Sequence, residues 1–396
     1  MGRLTETPSV LQLPPLSLYV HLPWCVRKCP YCDFNSHTLK GDFPADRYIQ
    51  ALMADLENDL PLVWGRSVHS VFFGGGTPSL FSAAQIDRLL KGVRSRLQLA
   101  PGAEITLEAN PGTIEHDSFS AYRDAGINRV SLGVQSFDDV ALSRIGRIHG
   151  RLEVERAIQS IQAAGLDNFN LDLMFGLPQQ TLQAALRDVT LALNYSPSHL
   201  SHYQLTLEPN TAFHAHPPAL PGEDECWEMQ EECASLLTAQ GFEQYEISAW
   251  ARPARQCAHN LNYWRYGDYL GIGAGAHGKI TLPAEGVIRR LAKQRHPQVY
   301  LQAVQSGHWR MQDRVVPEPE RCFEFFLNQL RLRAGVNLQD FAPRTGLRWS
   351  MARAAVCRAR DRGLLQQQGQ MLVPTEPGWR FVNETQALFL PPEHEL

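Results

Sequence analysis

Three cysteines lie close together near the N-terminus, in the run HLPWCVRKCPYCDFNSH. Cys25, Cys29 and Cys32 have the spacing C-x3-C-x2-C. Thiolate is the usual protein ligand of iron–sulfur clusters, so three thiolates on one loop can hold three irons of a [4Fe–4S] cluster. No fourth cysteine follows at matching spacing, which leaves the fourth iron open to an exogenous ligand. An open, redox-active iron is what a cluster needs to bind S-adenosylmethionine (SAM) and reduce its sulfonium.

Simpler interpretations of these cysteines remain. Cys29 and Cys32 alone form a C-x-x-C redox pair, but that pair leaves Cys25 unexplained. A zinc site of three cysteines and one further ligand also fits the spacing. The nearby residues that could supply the further ligand are His21, His37 and Asp33. The cysteines could also be buried apolar residues, but their segment is rich in Pro, Lys and Arg and indicates a loop, so the cluster is favoured.

The composition is that of an ordinary globular protein. The 396 residues, 44% of them apolar, suffice for one large domain with one or two small ones. The net charge of −4 gives no general attraction to nucleic acid or to anionic membranes. No window approaches the ~20 apolar residues of a membrane span, and the N-terminus lacks the pattern of a signal peptide. Eight cysteines in a chain of this length do not indicate a disulfide framework. We therefore expect a cytoplasmic protein whose cysteines are reduced.

Strand and helix patterns alternate from about residue 17 to residue 240, and these elements must position the cysteines. The predicted strands are 17–22, 70–76, 104–110, 129–136, 168–176 and 199–207. The predicted helices are 45–60, 82–98, 115–125, 138–145, 151–165, 179–194 and 222–240. Six successive β/α units imply a parallel sheet with right-handed crossovers. A partial (β/α)6 barrel is favoured over a doubly wound sheet because of the residues at the strand ends.

Each predicted strand has polar residues or glycine at its carboxyl end, where the chemistry of parallel barrels gathers. The first strand leads to Cys25. The residues at the ends of the next five strands are Gly74 to Pro78, Glu108, Gln135 and Ser136, Asp172, and Gln204 and Thr206. A buried carboxylate costs free energy unless it is paired, so any one of these could be a satisfied structural group. Because all six successive strands have such residues at their carboxyl ends, one shared site is favoured.

The remaining chain predicts an extension and a small separate module. Residues 241–312 contain the segment HNLNYWRYGDYLGIGAGAHG and a helical pattern near 297–307. Beyond them, helices at 317–332, 348–365 and 378–390 and a hairpin at 364–375 indicate a winged-helix-like domain. The predicted fold is therefore α/β, a partial (β/α)6 barrel with a small C-terminal α+β winged-helix-like module. The predicted boundaries are a tail at 1–16, the barrel at 17–240, the extension at 241–312 and the C-terminal domain at 313–396.

The motifs together resemble radical SAM proteins of the oxygen-independent coproporphyrinogen III oxidase group. The resemblance rests on the cysteine motif with Tyr31 before its last cysteine, the GGGTP turn and the LGVQSF strand, and it covers about residues 16–390. It implies a [4Fe–4S] cluster held by Cys25, Cys29 and Cys32. It also implies SAM-binding roles for Tyr19, Tyr31, Gly75, Gly76, Thr77, Glu108, Gln135, Arg147 and Asp172. Glycines suit such a turn because a side chain would block close approach of the backbone. Arg147 could instead be a surface cation, since RIGRIHG is loop-like.

Two departures separate this chain from the oxidase itself. The oxidase motif continues C-x-C, where this chain has Phe34, and the oxidase has a longer N-terminal extension that contributes to its substrate site. Both departures are features of the heme chaperone branch of the group, which also carries H-N-x-x-Y-W. The matching residues are His259, Asn260, Tyr263 and Trp264. Histidine is a common axial ligand of heme iron and aromatic rings can cover the macrocycle, although such a segment could also be a loop anchored by hydrogen bonds. Cys257 and His277 are rival ligands.

Three functions from different classes compete. The favoured one is a heme chaperone that binds heme as cargo and a [4Fe–4S] cluster with SAM, and transfers heme to an acceptor hemoprotein such as a membrane-associated respiratory enzyme. An electron donor protein would be a further partner, and no nucleic acid is expected. The alternative is an enzyme that cleaves SAM to a 5′-deoxyadenosyl radical and acts on a porphyrinogen. The third is a zinc-stabilised interaction protein. The resemblance leaves SAM cleavage open and assigns no catalytic residue.

Overall fold

The computed structural model describes residues 10–113 and 117–391. In these ranges the strands, numbered in chain order, are β1 Leu16–Leu22, β2 Trp24–Cys25, β3 His37–Thr38, β4 Ser67–Gly75, β5 Gln98–Ala109, β6 Arg129–Gln135, β7 Phe169–Phe175, β8 His199–Gln204, β9 Glu243–Glu246, β10 Ala249–Ala251, β11 Asp268–Ile272, β12 His277–Leu282, β13 Val287–Lys293, β14 Arg310–Val315, β15 Val336–Asn337, β16 Leu365–Gln368 and β17 Met371–Pro374. The α-helices are α1 Ala45–Asp59, α2 Ala83–Arg94, α3 Phe119–Ala125, α4 Asp139–Arg144, α5 Arg151–Ala163, α6 Leu182–Asn194, α7 Ala212–Ala215, α8 Glu223–Ala239, α9 Ala258–Trp264, α10 Pro297–Ser306, α11 Glu318–Gln329, α12 Leu338–Thr345, α13 Ser350–Asp361, α14 Glu376–Arg380 and α15 Val382–Ala387.

The main sheet contains the six parallel strands that the sequence predicts. Its strand order is β14-β13-β12-β11-β1-β4-β5-β6-β7-β8-β10-β9. Strands β1, β4, β5, β6, β7 and β8 pair in parallel with their neighbours, in the order in which they occur along the chain. Strand β11 adds a seventh parallel strand beside β1. The sequence pattern did not predict this strand. The six-unit partial barrel is therefore confirmed, with one more parallel strand at its edge.

Alternation along the strands separates the core from the barrel interior. In β6, Val130, Leu132 and Val134 are buried in the main hydrophobic cluster, while Arg129 and Gln135 line the interior. The same separation occurs in the other parallel strands because successive side chains of a strand point to opposite faces. Most apolar residues of β1 and of β4 to β8 belong to the main hydrophobic cluster, and most residues that line the cavity are polar. The interior of the barrel is therefore lined mainly by polar side chains.

The extension predicted at 241–312 borders both edges of the parallel strands. Strands β9 and β10 pair antiparallel at the β8 edge. Strands β12, β13 and β14 continue the sheet from β11 at the opposite edge. Helix α9 connects the two groups, and its side chains bond to Ser17 of β1 and Ser70 of β4, near the amino ends of these strands. The cysteine loop follows the carboxyl end of β1, so α9 and the loop lie at opposite ends of the barrel.

The C-terminal residues have a hydrophobic cluster of their own. The order α11, β15, α12, α13, β16, β17 is that of a winged-helix-like module, with β15, β17 and β16 in one small sheet. The sequence reading missed β15 and α12. Leu11 of the predicted tail lies in this cluster, and the Gln12 N–H donates to the Pro343 carbonyl oxygen at 2.8 Å. The domain boundaries remain predictions. No helix of the described residues is long and apolar enough to cross a membrane.

Three predicted helices need correction. The helix predicted to reach residue 98 ends at Arg94, and β5 begins at Gln98 rather than at 104, because the exposed first residues of this strand lack an apolar pattern. The helix predicted from 115 begins at Phe119 with Ser118 as its N-cap, and residues 114–116 lie outside the described residues. The helix predicted at 378–390 is two short helices, α14 and α15. They are separated at Phe381, whose φ of −107° and ψ of 51° are not helical.

Candidate functional site

One cavity extends from the cysteine loop to helix α9 inside the barrel. Its volume is about 660 Å³, within the range of small-molecule sites. The predicted site residues that line it are Cys25, Cys29, Cys32, Tyr19, Tyr31, Gly75, Gly76, Glu108, Gln135, Arg147, Asp172, His259, Asn260, Tyr263 and Trp264. The structure therefore brings the candidate cluster, SAM and heme residues into a single space. Thr77 is the one candidate that does not line it.

The cysteine loop is held in place by contacts with the strands around it. The Cys32 N–H donates to the Cys29 carbonyl oxygen at 3.2 Å. The Asn35 side chain donates to the carbonyl oxygens of Ala274 at 2.9 Å and Arg295 at 2.8 Å, which ties the loop to the β11–β13 region. All three thiols are half-buried, and burial raises the pKa of Cys25 and of Cys32. Metal binding would therefore have to displace thiol protons.

The donor set of this loop fits a cluster. Three thiols on one loop can each bind a different iron of one cluster. The described residues contain no group of three His, Cys, Asp or Glu side chains that could hold one metal ion. The Cys32 Sγ lies 3.7 Å from the Ser36 Oγ, and the Cys29 Sγ lies 3.7 Å from Nη1 of Arg147. Such donors would stabilise thiolates that carry negative charge.

The glycine turn after β4 packs directly against the cysteine loop. The Gly76 N–H donates to the Leu22 carbonyl oxygen at 2.8 Å. A Cβ atom on Gly76 would lie 2.5 Å from the Trp24 carbonyl oxygen, so no larger residue fits without moving the backbone. Gly75 has a φ of +116°, which favours glycine. Thr77 lies behind the turn, where its hydroxyl accepts from Asn110 Nδ2 at 2.9 Å. Thr77 therefore supports the turn from outside the cavity.

Two carboxyl groups face the space beside the glycine turn. Glu108 Oε2 accepts from the Gly75 N–H at 3.1 Å. Burial and the charge of Asp172 raise the pKa of Glu108 to about 7. Asp172 accepts from Asn170 at 2.8 Å and from Ser131 at 3.4 Å, and burial raises its pKa also. Both groups can accept hydrogen bonds from the hydroxyl or ammonium groups of a ligand.

Arg147 and Gln135 also line the cavity. Arg147 Nη2 donates to Asn110 Oδ1 and to the Gly133 carbonyl oxygen, each at 2.6 Å. The side chain therefore points into the cavity and is not a surface cation. Gln135 ends β6 with a φ of 70°, an uncommon conformation for a residue other than glycine. Its Oε1 accepts from the Tyr203 hydroxyl at 2.7 Å.

Sequence reasoning missed several residues of the cavity. Asn110, Arg129 and Tyr203 line it together with the predicted residues. Asn110 lies two positions after Glu108, and Arg129 lies six before Gln135. Because alternate residues of a strand share a face, extending the inward face from the predicted residues would have found these two. Tyr203 is adjacent to Gln204, the residue predicted to end this strand on the inward face. Because adjacent residues of a strand point to opposite faces, the same argument would have placed Tyr203 outside the cavity.

The HNLNYW segment lies in helix α9, in which His259 is buried and residues 260–264 are half-buried. Glu104 accepts from the backbone N–H groups of Ala258 and His259 at the start of this helix, each at 3.2 Å. The Asn262 side chain donates to Ser17 Oγ at 2.9 Å and to the Asp268 carbonyl oxygen at 2.7 Å. Hydrogen bonds do anchor the segment, as the alternative interpretation predicts, and they come from Asn262, the helix backbone and Nδ1 of His259. His259 and Tyr263 are left to line the cavity.

The tautomer of His259 follows from its hydrogen bonds. Its Nδ1 lies 3.0 Å from Ser70 Oγ, and the Ser70 hydroxyl donates its proton to Ser17 at 2.7 Å. Ser70 must therefore accept a proton from Nδ1–H, an assignment that rests on this network. Nε2 then carries a free lone pair, and this atom is buried without a hydrogen-bond partner among the described residues. Burial and the charge of Arg129 lower the pKa of His259 to about 3, so the ring is neutral.

Aromatic rings surround this imidazole. The ring of His259 lies 4.9 Å from that of Phe72 and 5.1 Å from that of Tyr263, and Tyr263 stacks on Tyr269 at 4.1 Å. The rival ligands lie elsewhere. The Cys257 thiol donates to Glu104 at 3.5 Å, and burial raises its pKa to about 12. His277 is exposed at the start of β12. Of the three candidates, His259 is the one that lines the cavity.

Comparison with family profiles gives two matches. Residues 19–192 match the Radical SAM superfamily. Residues 316–381 match the HemN C-terminal domain. The first match covers the barrel from β1 into α6, and the second covers most of the C-terminal module.

Similar proteins extend along nearly the whole chain. The heme chaperone HemW of Escherichia coli strain K12 is 51% identical over 381 residues, which cover 96% of this chain and 100% of the relative. HemW of Haemophilus influenzae is 49% identical and covers the same shares. HemW of Bacillus subtilis is 33% identical over 94% of this chain and 99% of its own.

One solved structure shares the fold over almost the full length. Coproporphyrinogen III oxidase (HemN) from Escherichia coli superposes with a TM-score of 0.80 at 24% identity, covering 98% of this chain and 91% of its own. At this identity the likeness concerns the fold alone. Together with the family profiles, it confirms the predicted α/β radical SAM fold.

Proposed function

The chain belongs to the HemW family within the radical SAM superfamily, and from this premise we propose that it is a heme chaperone. It binds heme as cargo, carries a [4Fe–4S] cluster with SAM, and transfers the heme to an acceptor hemoprotein. The observation that carries the proposal is the unpartnered Nε2 of His259, which lies in the same cavity as the three cysteine thiols. The acceptor and the protein that donates electrons to the cluster are part of the proposal.

Membership of the radical SAM superfamily implies a [4Fe–4S] cluster and SAM. Cys25, Cys29 and Cys32 would hold the cluster, which when bound supplies electrons and an open iron for SAM. The backbone of Gly75 and Gly76 lines the cavity, where it would contact SAM. The side chains that would orient SAM are those of Tyr19, Tyr31, Glu108, Gln135, Arg147 and Asp172, which all line the cavity. Thr77 would act through the turn that it supports.

His259 is suited to bind the iron of heme. Histidines that ligate metals usually donate their other ring N–H to a neighbouring group, which fixes the tautomer and the ring orientation. His259 has this arrangement, with Nδ1–H directed at Ser70 and Nε2 free. The neighbouring rings of Phe72 and Tyr263 offer apolar surface to a macrocycle. Asn260 and Trp264 complete the heme-contacting set in this proposal.

Heme retention by variants of two buried histidines tests this proposal. Hemin is added to anaerobically cluster-loaded protein, which is then desalted, and the retained heme and its Soret band are measured. The wild type should retain near-stoichiometric heme with a shifted Soret band, and His259→Ala should lose most of it. His202→Ala is the matched control, since His202 is also buried and burial also lowers its pKa, to about 4, but it lies outside the cavity. Equal retention by His259→Ala and wild type contradicts the proposal for this ligand.

The alternative function is a radical SAM enzyme that acts on a porphyrinogen. It is supported by the SAM-binding candidates that line the cavity, which are all but Thr77. The two functions differ in what happens to SAM. Reduced protein incubated with SAM and coproporphyrinogen III should show no decarboxylated product if the chaperone proposal is right. Porphyrinogen-dependent release of methionine and 5′-deoxyadenosine, with no retained heme, would support the enzyme instead.

A further inference from the structure

Arg129 is a buried arginine without a satisfying partner. Its side chain is 2% exposed, at the start of β6, yet it lines the cavity. Its Nε–H has no acceptor among the described residues. Among the described residues, its ion pair joins Nε to Glu104 Oε2 at 3.9 Å, which is too long for a hydrogen bond. A buried guanidinium normally has its donors paired, because an unpaired buried charge is costly.

The carboxylates near Arg129 have other donors. Glu104 accepts from the N–H groups of Ala258 and His259, and from the Cys257 thiol. Asp172 accepts from Asn170 and Ser131. Each acid is therefore satisfied without Arg129. The guanidinium, with five N–H donors in a planar fork, is left directed at the cavity.

The other arginines that line the cavity are occupied or remote. Arg147 donates to Asn110 and to the Gly133 carbonyl oxygen. Arg27 is exposed on the cysteine loop, at the opposite end of the barrel from α9. Near Arg129, His199 bonds to Asn170 at 2.7 Å and to the Tyr245 hydroxyl at 2.8 Å, so it offers no free cation. Among the described residues that line the cavity, Arg129 is thus the cation available to an anion at the α9 end.

Arg129 also lies close to the proposed iron ligand. The Glu104 carboxylate connects the two, because it accepts from the backbone of His259 and lies 3.9 Å from Arg129 Nε. A ligand that reaches both side chains therefore needs two features in one molecule. It needs a group that binds the neutral imidazole of His259, and an anionic group at its edge that pairs with Arg129. Heme has both, since its propionates are carboxylates on the rim of the macrocycle.

We propose that Arg129 binds a propionate carboxylate of the heme cargo at the α9 end of the cavity. This assignment rests on the proposed function. An arginine fork matches a carboxylate in a bidentate arrangement, and charge-assisted pairs of this kind are the strong ones in a site shielded from water. His259 and Arg129 would then recognise two different parts of one molecule.

Heme with esterified propionates is the probe that tests this proposal. Dissociation constants are measured for hemin and for hemin dimethyl ester with cluster-loaded wild type, Arg129→Gln and His259→Ala. Wild type should bind hemin at least ~10-fold more tightly than the ester, as expected for loss of a charge-assisted pair. Arg129→Gln should bind both equally, with an affinity for the ester near that of wild type. His259→Ala should weaken both ligands by the same factor, because it removes the iron contact and leaves the carboxylate contact.

Each other outcome has a definite meaning. Equal affinity of wild type for the two ligands overturns the proposal, as does an Arg129→Gln variant that keeps the preference for hemin. Failure of wild type to bind either ligand contradicts the proposed function itself. The affinity for SAM should be the same in Arg129→Gln and wild type, and its loss in the variant would assign Arg129 to the SAM carboxylate instead. If Arg129→Gln does not fold, Arg129→Lys, which keeps the charge but loses the fork, should show a reduced preference, and an unchanged preference contradicts the proposal.

Discussion

At the scale of single residues, the cavity controls protonation. Burial together with the charge of Asp172 raises the pKa of Glu108 to about 7. Burial together with the charge of Arg129 lowers the pKa of His259 to about 3. Near neutral pH the carboxyl group is therefore partly protonated, while the imidazole keeps a free lone pair. In the proposed function, the ionised fraction of Glu108 would suit the cationic SAM, and the neutral imidazole of His259 would suit heme iron.

The raised pKa of Glu108 predicts a pH dependence of stability. The folded state holds this proton more tightly than the unfolded chain, whose carboxyl has a pKa near 4.5. The stability from this group is therefore present below about pH 4.5 and is lost as the pH rises to about 7, by at most about 3 kcal/mol. In cluster-free protein, the free energy of unfolding of wild type should fall relative to that of Glu108→Gln as the pH rises from about 5 to about 8. Urea denaturation at both pH values measures this difference, and parallel pH dependence of the two proteins contradicts it.

At the scale of elements, the cysteine loop depends on contacts from distant parts of the chain. It has little regular structure, only the short pair β2 and β3. The Asn35 side chain donates to Ala274 and Arg295, and its carbonyl oxygen lies 2.9 Å from His21 Nε2. Loops held by few bonds open more readily than the core. The lifetime of a bound cluster should therefore depend on Asn35.

We expect Asn35→Ala to shorten the lifetime of the cluster. The variant loses two hydrogen bonds that join the loop to the β11–β13 region, which costs about 1–3 kcal/mol locally. The decay of cluster absorbance in the presence of a chelator should be several-fold faster than in wild type. Asn128→Ala is the matched control, since Asn128 also bonds two backbone groups, of Ala103 and Ile105, but remote from the loop. Equal decay in the two variants would show that Asn35 has no specific role.

At the scale of the whole molecule, the C-terminal module contacts the helix that carries His259. The guanidinium of Arg331 lies 4.3 Å from the ring centroid of Trp264 and pairs with Glu246 at 3.1 Å. The Arg333 N–H donates to the Tyr245 carbonyl oxygen at 3.0 Å. The module is therefore positioned to influence α9, which closes one end of the cavity.

We expect Arg331→Ala to lower the affinity for heme, although Arg331 does not line the cavity. The variant removes the cation–π contact that holds Trp264, so α9 should be less rigid and heme binding several-fold weaker. Arg380→Ala is the control, because Arg380 makes the same kinds of contact with Trp227 and Glu231, away from the cavity. Hemin titrations of the two variants provide the comparison, and equal affinities in both would mean that the module does not act on α9.

Local patterns in the sequence determined the order of elements and led to the proposal of cluster chemistry. Short strand patterns between helix patterns marked the six strands, because strand and helix periodicity is a property of a few successive residues. The C-x3-C-x2-C spacing likewise lies within one loop, so a cluster could be proposed for it before the fold was known. The patterns failed where signals were weak, as at Gln98, where exposed residues begin β5, and at Phe381, where the closing helix divides.

Only the tertiary structure decided which side chains are free to bind. His259 Nε2 is free because Nδ1 bonds to Ser70, which lies 189 residues away in the sequence. Arg147 points inward because Asn110 and Gly133 accept from it, and Arg129 is available because the acids near it have other donors. The same residue types in another packing would be structural. Hydrogen-bond satisfaction is a balance among groups distant in sequence, so it exists only once the strands and α9 have come together.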